Sequence, residues 1–222
     1  MEIERQKTRF FPLKGTNYFD LNTTLSEYLL EIKPLLEGKK IIDIGAGEIP
    51  FQDYYKDLDV TTCDIQNNST NTIDHIIIPD SILPFENSSF DVILVFDVLE
   101  HIKNDLFFLS ECNRILTNDG ILVASIPFMY RYHEIPYDFR RYTPSGLKYV
   151  LEESKFQLIT LKNIGSVIFS AETILLEHQV EILPFFRKLI LKIILVLLKA
   201  IRKRSEISQV APFAFFFVAK KQ

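Results

Sequence analysis

The chain is poor in residues that form covalent or metal cross-links. It has only two cysteines, Cys63 and Cys112, and four scattered histidines among 222 residues. We therefore expect neither a disulfide framework nor a Cys/His zinc cluster. This cysteine usage is typical of a reducing, cytoplasmic compartment. The first ten residues contain no apolar stretch and predict no secretory signal.

Net charge is small, at −4, but its distribution is uneven. The segment Leu183–Arg204 carries seven bases and no acid, which leaves −11 on the rest of the chain. An acidic body argues against nucleic acid as the main substrate, because binding to the phosphate backbone needs a basic surface.

The basic segment, residues 183–204, is also apolar. Its lysines interrupt the apolar run before the ~20 residues that a membrane span requires, so we expect no span. The segment fits a helix lying in an anionic membrane interface. We favour the alternative, a helix packed on the sheet or on a second subunit in a homodimer.

The order of predicted elements favours a doubly wound α/β fold, in a single domain spanning residues 1–222. Short apolar runs alternate with helical patterns at spacings typical of parallel strands with right-handed crossovers. After Pro127 come a capped helix, a strand, a helical insertion at about 166–208 and a last buried strand. The predicted strands are Lys40–Ile44, Asp59–Ile65, Asp74–Ile78, Phe90–Phe96, Gly120–Ile126, Phe156–Leu161 and Ala211–Ala219, and the predicted helices are Leu25–Leu36, Leu99–Leu116 and Ser145–Glu153.

The first predicted strand ends in a glycine turn, Gly45-Ala46-Gly47. Glycines there let the backbone approach a ligand, which in parallel sheets binds beyond the carboxyl ends of the strands. A dinucleotide fingerprint would need a glycine at position 50, where Pro50 offers no N–H to a pyrophosphate. Asp43 lies within the first strand and Asp64 near the end of the second, where a carboxylate can accept hydrogen bonds from a ribose. The residues favour a ribose-bearing ligand without pyrophosphate.

Several ordered motifs, IIDIGAG, CDI, LPFENSSFDVILVFDVLEHI and ECNRILTNDGILVASIPF, resemble class I S-adenosylmethionine-dependent methyltransferases over about residues 39–160. The resemblance implies S-adenosylmethionine as cofactor and a Rossmann-like sheet of seven strands, mostly parallel with an antiparallel last strand. Ile49 departs from the pattern, because it stands where the family usually has its third glycine. The next stretch, HEIPYDFRRYTPSGL, resembles a subgroup often associated with bacterial surface-polysaccharide gene sets.

The resemblance also implies roles for individual residues. By position, Asp43 orients the glycine loop, Gly45 and Gly47 admit the cofactor, Asp64 holds its ribose, Asp80 meets its adenine, and Phe96 and Asp97, with Glu100-His101, lie at its methionine end. Asp80 could instead form an Asx turn, and Glu100-His101 could be the polar start of a helix.

An aromatic, charged loop, residues 128–142, follows the fifth predicted strand and should therefore face the same sheet edge as the glycine turn. We interpret it as an acceptor pocket or lid, with His133 as general base. Arg140 and Arg141 would orient an anionic group, and Tyr132, Asp138 and Tyr142 would complete the acceptor site. The alternatives are a structural histidine, aromatic packing and surface ion pairs.

The predicted function is methyl transfer from S-adenosylmethionine to a small-molecule or glycan-type acceptor, at oxygen. The motif of nucleic-acid amino-methyltransferases is absent after the fourth predicted strand, where Phe96-Asp97-Val98-Leu99 stands. Two alternatives remain: methylation of a lipid or quinone at a membrane surface, and a non-catalytic module that binds S-adenosylmethionine.

Overall fold

A computed structural model of the chain describes residues 19–167 and 209–222, with the single positions Ser170 and Ile193. In chain order the described elements are α1 (Phe19–Leu36), β1 (Lys40–Ile44), β2 (Asp59–Asp64), β3 (His75–Ile76), β4 (Phe90–Phe96), a 3-10 turn (Leu99–His101), α2 (Asp105–Ile115), β5 (Leu116–Pro127), α3 (Pro144–Glu153), β6 (Phe156–Ile164) and β7 (Ala214–Lys221).

Within the described part of the chain, the seven strands form one sheet in the order β3-β2-β1-β4-β5-β7-β6. Strands β1 to β5 pair in parallel, whereas β7 is antiparallel to both β5 and β6. The predicted fold class, including the antiparallel last strand, is confirmed. The chain reverses direction across the sheet between β1 and β4, and this topological switch point is where ligands bind in such folds.

Two apolar clusters cover the two faces of the sheet. Strand β4 contributes to both, because Ile93 and Val95 lie in one cluster while Leu94 and Phe96 lie in the other. This alternation follows from the period of two along a strand. Helices α2 and α3 pack on the first face and α1 packs on the second.

Helix α1 begins earlier than the apolar spacing predicts but buries the expected stripe, Leu25, Leu29, Ile32 and Leu36. The helix α3 has the predicted start: Pro144 is its first residue, and the Thr143 hydroxyl accepts a hydrogen bond from the N–H of Gly146 at 3.1 Å. This cap satisfies one of the N–H groups that a helix start leaves unpaired.

The predicted helix Leu99–Leu116 is divided in two. The 3-10 turn ends at His101, and α2 starts at Asp105 after Asn104, whose side chain accepts from the N–H of Phe107 at 3.2 Å. An asparagine cap competes with helix continuation, because its side chain takes the place of a backbone acceptor. Glu100 and His101 therefore lie in the connection between β4 and α2, within the 3-10 turn, and not in a continuous helix.

Most of the basic segment and of the predicted insertion lies outside the described residues, so both interpretations of that segment stay predictions. Among the helices that the structure describes, none is long and apolar enough to cross a membrane.

Candidate active site

The glycine turn at the end of β1 has the backbone geometry of a ligand cradle. Gly45 and Gly47 have φ angles of +79° and +52°, which side chains disfavour. The N–H of Gly45 donates to the carbonyl of Cys63 at 2.8 Å, so the turn is fixed to the end of β2. A Cβ on Gly45 would lie 2.3 Å from Cγ2 of Val98, whereas a Cβ on Gly47 would meet nothing within 4 Å. Gly45 is therefore needed for close packing, and Gly47 borders open space.

Ile49 adopts the same left-handed region, with φ of +51°. A β-branched residue is strained there by about 1–2 kcal/mol. Position 49 thus has a backbone conformation that glycine would adopt at no steric cost. Partial burial of the Ile49 side chain against the α1 side of the core accompanies this conformation.

Asp64 connects the glycine turn to the end of β2. Its Oδ2 accepts from the N–H of Gly47 at 2.8 Å, and its Oδ1 accepts from the N–H of Ile65 at 2.6 Å. The carboxylate therefore lies at the rim of the turn, where a ribose is expected. Ile65, next to it, is 58% exposed and offers an apolar surface to a ligand.

Asp43 and Phe96 lie deeper than the rim. The Asp43 side chain is buried, and its Oδ2 accepts from the hydroxyl of Tyr55 at 2.7 Å. Phe96 is buried too, with its ring edge-on to Phe51 at 4.9 Å between centroids. Both residues support the site from within the core, and their contact with a cofactor stays a prediction.

Asp80 and Asp97 both have φ of +54°, a conformation that aspartate tolerates better than most residues. Oδ1 of Asp80 accepts from the N–H of Asn104 at 3.4 Å, and Oδ1 of Asp97 accepts from the hydroxyl of Ser125 at 2.7 Å. Each carboxylate thus follows a strand and bonds to a neighbouring loop or strand. Their cofactor-binding roles stay predictions.

A charged cluster fixes the Leu83-Pro84-Phe85 segment that follows Asp80. Arg114 donates to both oxygens of Glu111, at 2.9 and 2.7 Å, and to the carbonyls of Leu83 and Phe85 at 2.9 and 2.8 Å. Glu111 also accepts from the N–H of Leu83 at 2.9 Å. These hydrogen bonds, chiefly the one from Arg114, lower the pKa of Glu111. The pair therefore has a structural role.

His133, the predicted base, is oriented by other residues of its own loop, 128–142, which is called the lid below after its predicted role. Its Nδ1 lies 2.8 Å from Oδ2 of Asp138, which also accepts from the His133 N–H at 3.0 Å. Arg141 donates to both oxygens of Asp138, at 2.5 and 2.8 Å. Burial alone would raise the pKa of Asp138, but the hydrogen bonds from Arg141 and from the backbone of His133 lower it to about 2. Burial also lowers the pKa of His133, against the opposing effect of Asp138.

Arg140 forms a second ion pair at the base of the lid. Its guanidinium pairs with Asp105 at the start of α2 and donates to the carbonyl of Lys103 at 2.7 Å. The hydroxyl of Tyr142, a buried residue, donates to the same carboxylate. The lid is therefore held by ion pairs and hydrogen bonds of Arg140, Arg141 and Tyr142. Their roles toward an acceptor stay predictions. Sequence reasoning missed Asp105, whose partner lies far along the chain.

Three aromatic residues of the lid are exposed. Tyr132 is 55% exposed, Tyr137 65% and Phe139 42%. Flat exposed rings of this kind stack on the apolar faces of ligands such as sugars.

His101 brings the loop after β4 into contact with the lid. Its Nδ1 lies 2.8 Å from the carbonyl oxygen of Tyr137, and its ring packs edge-on against that of His133 at 4.8 Å between centroids. The N–H of Phe139 donates to the carbonyl of Glu100 at 2.9 Å. The lid and the loop after β4 thus meet at Glu100-His101.

Residues 42–124 match the family described as methyltransferase domain. This segment contains the glycine turn, Asp64, Asp80, Asp97 and Glu100-His101. The match supports the resemblance drawn from the motifs.

A protein of Methanocaldococcus jannaschii described as uncharacterized is 31% identical over 137 residues, which are 56% of this chain and 60% of that protein. The chain thus spans less than two thirds of this relative.

Among solved structures, a SAM dependent methyltransferase from Aquifex aeolicus matches with a TM-score of 0.58 and 13% identity, over 100% of both chains. The [4+2]-cyclase SpnF matches with a TM-score of 0.61 and 15% identity, over 93% of this chain and 84% of that one. At these identities the likeness concerns the fold alone. The fold is the one that S-adenosylmethionine-dependent methyltransferases use, and it also serves a cyclase.

Proposed function

We propose that this protein is an S-adenosylmethionine-dependent methyltransferase that methylates a hydroxyl of a small-molecule or glycan-type acceptor. The observation that carries the proposal is the meeting of two features at one sheet edge. A methyltransferase-type glycine turn with Asp64 lies at the ends of β1 and β2, and a lid with an oriented histidine follows β5.

The residues present fit the cofactor. Gly47 leaves open space at the turn, the Asp64 carboxylate lies at its rim, and the exposed Ile65 side chain beside it suits the face of an adenine. Asp64 would hold the ribose hydroxyls and Asp80 the adenine amino group, while Asp97 and Glu100 would border the methionine end. When bound, S-adenosylmethionine supplies an electrophilic methyl group on its sulfonium, and the electron pair of the broken S–C bond stays on sulfur.

The protein's part is alignment of the acceptor and removal of its proton. The acceptor oxygen forms the new C–O bond, and its proton passes to a base. In the simplest case this base is His133, whose Nδ1 is held by Asp138 so that Nε2 can act on the acceptor. The exposed rings of Tyr132 and Tyr137 support a sugar-like acceptor.

Calorimetry with S-adenosylhomocysteine, followed by turnover with labelled S-adenosylmethionine on a panel of sugar nucleotides and lipid-linked glycans, tests the proposal. We expect binding near one molecule per chain and transfer to a hydroxyl. His133→Ala should lower turnover about 10²–10⁴-fold and leave the affinity for S-adenosylhomocysteine nearly unchanged, since the residue acts on the acceptor. Tyr149→Ala, at an exposed position of α3, is the matched control and should turn over normally.

Absence of S-adenosylhomocysteine binding contradicts the cofactor assignment. Wild-type turnover in His133→Ala contradicts only the role of the lid histidine.

A second candidate function is suggested by the fold shared with the [4+2]-cyclase SpnF and by Ile49 in the glycine loop. In that case the chain would bind S-adenosylmethionine without transferring its methyl group. Tight binding with no labelled product from any acceptor of the panel would favour this second function.

A further inference from the structure

We propose that Glu100, His101 and His133 form a binding site for one divalent transition-metal ion between the loop after β4 and the lid. One ligand atom of each residue lies within 4.8 Å of the others. The inference rests on the proposed function only for what the ion would do there, namely hold the acceptor oxygen.

The tautomer of His101 leaves the correct nitrogen for a metal. A carbonyl oxygen can only accept, so the 2.8 Å contact with Tyr137 requires the proton of His101 on Nδ1. In the neutral ring, Nε2 then carries a lone pair. This Nε2 lies 3.7 Å from Oε1 of Glu100.

His133 has the same arrangement. The carboxylate of Asp138 accepts from Nδ1–H at 2.8 Å, a shorter contact than the 3.4 Å between the same nitrogen and Arg141. Metal-binding histidines usually donate their second ring N–H to a carboxylate or a backbone carbonyl, which fixes the ring. Both rings have such a partner before any ion binds.

Glu100 provides the carboxylate. It is fully buried, at 0% exposed, and an ion between the three side chains would place positive charge beside it. Ligands at about 2.1 Å from one ion lie about 3–3.5 Å apart, so the most distant pair of ligand atoms needs to close by about 1–2 Å. The two rings are already in edge-on contact.

Two imidazoles and one carboxylate suit Zn²⁺ or a neighbouring first-row metal better than Mg²⁺, which prefers oxygen ligands. Three protein ligands leave a position open for water or for an acceptor oxygen. Glu134 is at hand as a further ligand, because its Oε2 lies 3.7 Å from Nε2 of His101 and its side chain is 68% exposed.

The site changes how the acceptor would be activated. A hydroxyl bound to a divalent ion loses its proton more readily. His133 would then serve as an ion ligand, and the hydroxyl proton would pass to water rather than to its imidazole. The expected loss of turnover in His133→Ala is the same in both cases, so a direct measurement of metal binding has to separate them.

The experiment is calorimetric titration of untagged protein, stripped with a chelator, with Zn²⁺ and separately with Mg²⁺. We expect one Zn²⁺ per chain and weaker Mg²⁺ binding. His101→Ala and His133→Ala should each weaken Zn²⁺ binding more than tenfold. The matched control is His75→Ala on the exposed strand β3, which should bind Zn²⁺ as the wild type does.

Circular dichroism and thermal unfolding of the same samples show that each variant is folded. Absence of Zn²⁺ binding to the wild type overturns the site, as does undiminished Zn²⁺ binding by folded His101→Ala and His133→Ala. Absence of S-adenosylhomocysteine binding to the wild type would instead contradict the proposed function and would leave the Zn²⁺ result unaffected.

Discussion

Replacing Gly45 by alanine should destabilise the protein far more than the same change at Gly47. Both positions have positive φ, so each alanine carries a backbone cost of about 1–2 kcal/mol. At Gly45 the new methyl would also lie 2.3 Å from Cγ2 of Val98. Val98 is β-branched and packs against the core, so it can turn away only at an overpacking cost of about 1–3 kcal/mol. The sum is about 2–5 kcal/mol at Gly45, against about 1–2 kcal/mol at Gly47.

Urea unfolding followed by circular dichroism measures both free energies of unfolding. A double-mutant cycle with Val98→Ala isolates the steric part, because removing the Val98 methyl groups relieves the clash while the backbone cost stays. We expect a favourable coupling of about 1–2 kcal/mol between Gly45→Ala and Val98→Ala. Gly47→Ala should keep its fold but weaken S-adenosylhomocysteine binding, since its methyl would enter the open space at the turn.

Equal destabilisation by Gly45→Ala and Gly47→Ala would refute this reasoning. Additive effects of Gly45→Ala and Val98→Ala would refute the clash in particular.

Three further perturbations test the edge of the sheet. At position 49, Ile49→Gly should give a more stable protein than Ile49→Ala by about 1 kcal/mol, the reverse of the usual order. Both variants lose the packing of the Ile49 side chain beyond Cβ, but only glycine relieves the strain of the positive φ. Thermal unfolding that favours the alanine variant would contradict this. Asp64→Ala should weaken S-adenosylhomocysteine binding by about 1.5–3 kcal/mol, and unchanged calorimetric affinity would remove Asp64 from the site. Arg114→Ala should cost about 2–3 kcal/mol of stability at pH 7, because it leaves Glu111 without its cation. Folding lowers the pKa of Glu111, so the difference in unfolding free energy between wild type and variant should be full above the ordinary glutamate pKa of about 4.3. This difference should shrink as the pH falls below that value. A pH-independent difference in urea unfolding would contradict the assignment.

The fold class and the position of the glycine turn could be predicted from the sequence. Strand β4 was predicted at its observed bounds, Phe90–Phe96, because a continuous apolar run flanked by polar residues reports burial on both faces. The glycine turn was equally predictable, since Gly45 and Asp64 act through local backbone geometry at strand ends. Boundaries were less certain where a side chain competes with the backbone, as at the Asn104 cap that divides the predicted helix after β4.

The contact partners of the lid residues become visible only in three dimensions. The sequence placed His133, Asp138 and the arginines in one loop but left open whether the charges face an acceptor or one another. The pairing of Arg140 with Asp105, and the approach of His133 to Glu100-His101, join segments far apart in the chain. Such contacts depend on where the strand order brings β4 and β5 side by side, and neither periodicity nor local spacing encodes that distance.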